Sequence, residues 1–389
     1  MMSRKPIIGT LCLSISLVLL SEFSVAQIAI SSPSYVNSIS SFDKFIPRPE
    51  SKTSLDYDIW DSLLEEMVLS TGASSRRRMS SPPKILGTRL AHGHTSAYRL
   101  EGNRIPFSIM KPEFKTWITE YRQDLERIGS EIDISKLSRN EQLAFWFNLH
   151  NVVIIEQLAL EYPVRRPEDL KIGDPKEPLH DAKIINIKDT KLSLRDIREE
   201  IVYANWRNPK VIYGFFLGDI GSPSIQNSAF TGNNVSIILD RTAEEFVNSL
   251  RGFYVRNNKQ YISRIYSDVA KYYFPNFDTD VAKHLRMFMR DDVSSQILQT
   301  ASFQTDRYEP TIADLTAGRG NYISPSSIQS TEEFGITTEG PSSLSQYVRE
   351  LVDKRERLRE RGLLGIVTIE DIPTIDPDSP EGKDIDLEP

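Results

Sequence analysis

The chain has 389 residues, 54 of them acidic against 47 basic, a formal net charge of −7 and 39% hydrophobic residues. That apolar fraction belongs to a folded chain, and the length suits one large domain or two small ones. The acidic balance argues against nucleic acid or an anionic membrane as a partner, since both favour a basic surface.

Arg4 and Lys5, the apolar run Ile7–Leu20 and the small residues Ser24-Val25-Ala26 form the pattern of a secretory signal over residues 1–26. The mature chain is then expected to begin at Gln27 and to work in the periplasm or outside the cell. Its apolar core is too short for a stable transmembrane helix, and no later stretch reads as a transmembrane segment. Gly9-Thr10-Leu11 lacks the small residue that a lipoprotein signal carries just before its cysteine, which argues against lipidation. Losing two cations and one anion moves the charge from −7 to about −8. The only cysteine, Cys12, leaves with the signal, so the mature protein has no disulfide, no thiol nucleophile and no thiolate metal site.

Residues 27–54, rich in Ser and Pro, read as a flexible lead-in, and Ile59, Leu63, Leu64 and Met67, with Trp60, as a first amphipathic helix. Residues 74–83, with three consecutive arginines, read as a solvated loop, and 85–110 as a hairpin or irregular strand. Phe114, Trp117, Ile118, Tyr121 and Leu125 predict a helix over 112–128. A second runs from Arg139 to Glu161, entered through a Ser138/Glu141 capping box and stopped by Tyr162-Pro163. Ile184–Ile187 is a short strand, and Leu192-Ser193-Leu194 leads into a helix ending near Ala204. Lys210–Gly218 reads as a buried strand, Asn234–Leu239 as another and Thr242–Phe253 as a helix. Helices near Asp280–Arg290 and Val293–Thr300 complete a domain over 55–315. A linker follows over 316–342, then over 343–389 an amphipathic helix and a disordered acidic tail. The fold class is α+β: one mixed domain with short buried strands.

The segment Leu137–Asn151, LSRNEQLAFWFNLHN, places Glu141, Asn148 and Asn151 on one face of an otherwise apolar helix. Buried amides must be hydrogen-bonded, so these residues either brace a loop or line a ligand pocket. Together with the following VVIIEQLALEYP, the segment resembles the signature of the family called domain of unknown function 547. Looser matches at Leu192–Ile197, Asn208–Val211, Gly221-Ser222-Pro223, Ile262–Tyr266 and Tyr308-Glu309-Pro310 extend the resemblance over about 55–315. The family has no established activity, so the resemblance implies a fold and not a reaction. Its pattern carries Glu-His after the Asp-Ile, a histidine in the strand, two cysteines around the turn and a tyrosine in the Asn-x-Tyr-Asn motif. At the matching positions this chain has Arg198-Glu199, Ile212, Leu217, Ser222 and His150. A nucleophile–base pair of the cysteine–histidine type is therefore missing, and the chain reads as a divergent member.

The remaining catalytic candidates are His150 as a base, Glu199, and Ser222 at the turn. Asn148, Asn151 and Glu141 are the ligand-binding candidates. His92 and His94 could share a strand face as metal ligands, but without a third partner the expectation is no metal and no cofactor. His180-Asp181 reads as an exposed loop pair, and His284 as an ordinary helix residue. The favoured function is a non-catalytic binding or assembly module for a peptide, protein or small polar ligand, with its pocket near the 137–151 helix. The alternative is a hydrolase or acyl-transferase acting on peptide or amide bonds of the cell envelope. Leu344, Tyr347, Val348, Leu351 and Leu358 form a narrow seam that could contact a partner or pack back on the domain.

Overall fold

The computed structural model describes residues 41–80, 94–298, 302–319 and 342–363, all within one compact unit that begins at Ser41. The signal 1–26, the first part of the lead-in, His92, the linker over 320–341 and the tail from 364 lie outside the described residues. The elements run α1 (Asp58–Met67), α2 (Pro112–Glu131), α3 (Arg139–Leu160), β1 (Lys171–Ile172), β2 (Glu177–Pro178), β3 (Ile185–Ile187) and β4 (Thr190–Leu192). Next come α4 (Leu194–Asp196), which widens into a π turn over Ile197–Tyr203, then a 3₁₀ turn over Pro209–Gly214, and α5 (Val235–Val247). The chain continues through β5 (Phe253–Arg256), β6 (Lys259–Ser263), α6 (Ile265–Asp268), α7 (Ala270–Tyr273), α8 (Phe277–Arg286), α9 (Asp291–Ser294), β7 (Phe303–Arg307) and α10 (Ser342–Glu360). Helices dominate, and the strands form small sheets, as an α+β domain requires.

Helix α3 is the axis of the fold. Every residue from Glu141 to Ala159 except Gln157 is buried, because α2, α5 and the π turn pack around it. A helix apolar on all sides is stable in water only when protein encloses it. By length and composition α3 could cross a bilayer, although no stretch after the signal was expected to; core helices pass the same test, and this one is enclosed.

The strands are short antiparallel hairpins, with one parallel pairing between β6 and β7. Lys188-Asp189 and Asn257-Asn258 turn two of the hairpins with positive φ at both residues, the geometry that matches strand twist.

Several local expectations change. The lead-in is not wholly loose: Phe45 is buried edge-on against Trp146, and Arg48 and Glu50 donate backbone hydrogen bonds to Ser135 and Lys136. The described part of the 74–83 loop, through residue 80, is anchored, with Arg76 donating to the carbonyls of Asn248 and Phe253. Lys210–Gly218 is largely buried as expected but is no strand; it forms the 3₁₀ turn and then a segment whose backbone pairing among the described residues is limited to its end, where Gly218 accepts from the Ala313 amide. Asn234–Leu239 is the start of α5, because Val235, Ile238, Leu239, Thr242 and Phe246 bury at helical and not alternating spacing. The helix ends at Val247, so Phe253 opens β5 instead. Packing also continues past 315: Thr316 and Gly318 are held by the Asp314 carboxylate.

Helix α10 lies back on the domain. Tyr347, Lys354 and Leu358 are buried, Val348 is exposed and Leu351 half-buried, while the side chain of Leu344 is outside the described set. Arg99 grips Glu350 with two hydrogen bonds of 2.7 Å, and Lys354 Nζ donates to the Leu100 carbonyl at 2.7 Å.

Candidate functional site

The polar face of α3 holds backbone. Ser138 Oγ accepts from the Glu141 amide at 3.2 Å, half of the expected capping box. The other half is absent, because the Glu141 carboxylate instead accepts from the amides of Leu55 and Gly232, each at 3.1 Å. Two turns on, Asn148 exchanges two hydrogen bonds with the Phe230 backbone, donating at 2.7 Å and accepting at 3.0 Å. Asn151 does the same for the extended segment, donating to the Gly214 carbonyl at 3.0 Å and accepting from the Phe216 amide at 3.1 Å. One face of the helix therefore clamps two loops, supplying the partners that a sheet would otherwise give to buried backbone. An open groove of about 450 Å³ passes the start of α3 beside Ser138–Glu141 and Gly232.

His150, fully buried, lies against this clamp. Its Nδ1 is 3.1 Å from Asn151 Oδ1, an atom that can only accept, so the imidazole proton sits on Nδ1. Nε2 is then the acceptor for Arg198 Nη1 at 2.8 Å. The same Nη1 stands 3.4 Å from Nδ1 of His180. Burial, reinforced by the Arg198 charge, holds both histidines well below the usual imidazole range, and burial lowers the guanidinium too. Arg198 belongs to the π turn, a distortion frequent at functional sites. His180 is half-buried and not the exposed pair expected with Asp181, which binds Arg195 at 2.5 Å instead.

The other candidates are dispersed. Ser222 is 0% exposed; its hydroxyl donates to the Asp219 carbonyl at 2.9 Å and accepts from the Leu217 amide at 3.2 Å. Glu199 pairs with Lys271 at 3.0 Å and Arg195 at 3.2 Å. No hydrogen bond joins Ser222, Glu199 and His150. His94 is buried, and among the described residues no three of His, Cys, Asp and Glu converge as metal ligands would. His284 is a core residue, bonded to Tyr213 at 2.8 Å.

Two residues were not singled out from the sequence. Asp219 is buried beneath the Ser222 turn, where its carboxylate accepts from the Tyr308 hydroxyl at 2.8 Å and the Ser222 amide at 2.9 Å. Burial pushes it up to about 7 despite those bonds. Tyr308 and Gly221 line a cleft of about 330 Å³ with Arg251 and Glu309. Arg198 is the second. Its signal was present, since Leu194, Ile197, Arg198, Ile201 and Val202 form one helical stripe with a cation inside it.

Residues 134–247, from the approach to α3 through α5, match the model of the family described as protein of unknown function DUF547. The chain is similar to this family over that segment, somewhat under a third of its length. The matched segment contains the α3 clamp, His150, Arg198 and Ser222. No curated protein and no solved structure matches the chain.

Proposed function

We propose that this protein is an exported, non-catalytic binding module whose ligand pocket lies beside the 137–151 helix, at the His150 end. The observation that carries the reading is the separation of the catalytic candidates. Ser222 is sealed inside a turn, Glu199 is engaged by two cations, and His150 is a neutral acceptor for an arginine. A serine nucleophile needs a free hydroxyl and access to substrate, whereas Ser222 is fully buried with its hydroxyl donating to the Asp219 carbonyl. Export rests on the composition of residues 1–26, and the absence of thiols in the mature chain agrees with it.

The test is a panel of peptide and amide compounds, followed both for turnover and for their effect on thermal unfolding. Ligand-dependent stabilisation without product supports the module. Turnover abolished in Ser222→Ala would instead establish the hydrolase or acyl-transferase alternative. One observation favours that second reading through a different residue: Asp219, pushed to about 7, has the poise of an acid–base group. Turnover that survives Ser222→Ala and disappears in Asp219→Asn would establish it.

A further inference from the structure

Arg198 is 8% exposed, yet it has no carboxylate partner among the described residues. Its hydrogen-bonding contacts among the described residues are His150 and His180, both through Nη1. The acidic groups that act on it through space make no direct pair with it: Asp181 is held by Arg195, Glu199 by Arg195 and Lys271, and Asp268 stands exposed. Two neutral imidazoles can accept from a guanidinium, but they cannot offset its charge. A buried cation without a directly bonded counter-ion is costly, and such groups are retained where something completes them.

The unused edge of the guanidinium indicates what that is. Nε and Nη2 bond to no atom of the described residues, and neither is among the sealed, unpartnered atoms of the interior. They form the side-on fork that meets two oxygens in a plane. Nearby, Tyr203 packs on Phe215 with ring centres 5.6 Å apart, and Phe215 on His150 at 4.8 Å. Tyr203 is half-buried and its hydroxyl donates to no atom of the described residues, leaving a neutral donor beside the cation.

We infer that the Nε–Nη2 edge of Arg198 is a binding site for a ligand carboxylate, such as the C-terminus of a peptide. This deepens the binding-module reading and rests on it. A carboxylate fits better than a phosphate because one free cationic edge, flanked by neutral imidazoles, matches a single charge on two coplanar oxygens.

The test uses the mature chain, an N-acetylated tripeptide with a free C-terminus, the same tripeptide as its amide, acetate, and inorganic phosphate, all at fixed ionic strength. Binding is followed by calorimetry and thermal unfolding, with the peptide recovered afterwards. The free acid and acetate are expected to bind and raise the unfolding temperature, while the amide does not. Arg198→Gln is expected to abolish the effect. Arg198→Lys, which keeps the charge but loses the fork, is expected to bind roughly tenfold more weakly, and it serves if the glutamine variant does not fold. Equal binding of acid and amide, unchanged binding by either variant, or stabilisation by phosphate alone would overturn the carboxylate site. Peptide cleavage with carboxylate binding intact would instead overturn the non-catalytic reading and leave this site standing.

Discussion

Arg198 stands 2.8 Å from Nε2 of His150, a buried cation donating to a buried imidazole. The contact is favourable only while the imidazole is neutral with its proton on Nδ1, and Asn151 fixes that tautomer from the other side. Asn151 is in turn held by the backbone of Gly214 and Phe216. The protonation state of His150 is thus tied to the path of the segment from Gly214 to Phe216, whose backbone Asn151 holds.

The first prediction concerns the clamp. Asn148→Ala leaves both backbone groups of Phe230 without their partner, and Asn151→Ala does so for Gly214 and Phe216. Each substitution should lower stability by roughly 1–3 kcal/mol or more in urea unfolding, the penalty for unpaired buried polar groups. A neutral or stabilising effect would mean that the amides do not brace the loops.

The sequence made this clamp partly legible. Glu141, Asn148 and Asn151 fall on one face by helical spacing alone, and amides in so apolar a helix must have partners. Which partners was not legible, because they are backbone groups of Gly214, Phe216, Phe230 and Gly232, more than sixty residues away. The same gap explains the misread strand at 210–218: its apolar run signals burial, but whether a ladder or side-chain amides satisfy its backbone depends on tertiary packing. The 234–239 segment was legible and misread, since its β-branched residues suggested a strand while its burial period was helical. Arg198 was visible as a cation on an apolar stripe, whereas the π turn that carries it has no sequence signature.

Gly214 passes so close to α3 that a Cβ there would lie 2.4 Å from the Phe147 ring. Gly214→Ala should therefore cost roughly 1–3 kcal/mol, the usual range for overpacking. Adding Phe147→Leu should recover part of the loss. Calorimetric unfolding of the single and double variants checks this, and additive losses would contradict the contact.

Asp219 predicts a pH dependence. Its carboxyl is raised from 3.8 to about 7 in the fold, so between those values the native state holds a proton that the unfolded chain has released. Its contribution to stability is present below 3.8 and is lost as pH rises through about 7. Relative to wild type, Asp219→Asn should gain roughly 1 kcal/mol per pH unit across that window and then level off. Urea midpoints measured from acid to neutral pH give the difference, and a constant gap would contradict the shift.

Helix α10 is docked through Glu350, whose removal leaves the guanidinium of Arg99, itself 5% exposed, without its carboxylate. Glu350→Ala should cost roughly 3 kcal/mol and speed amide exchange over 342–360. Unchanged exchange there would show that the seam is held by other contacts.

The most direct measurement is ring ¹⁵N NMR of His150 in the mature protein, followed from pH 8 to pH 5. The non-catalytic reading predicts a single neutral tautomer protonated at Nδ1 throughout, since burial and Arg198 both oppose a second proton. A His150 that titrates near its ordinary value of about 6.5, or that exchanges between tautomers, would be free to move protons. That result would contradict the account and return the residue to the role of a general base.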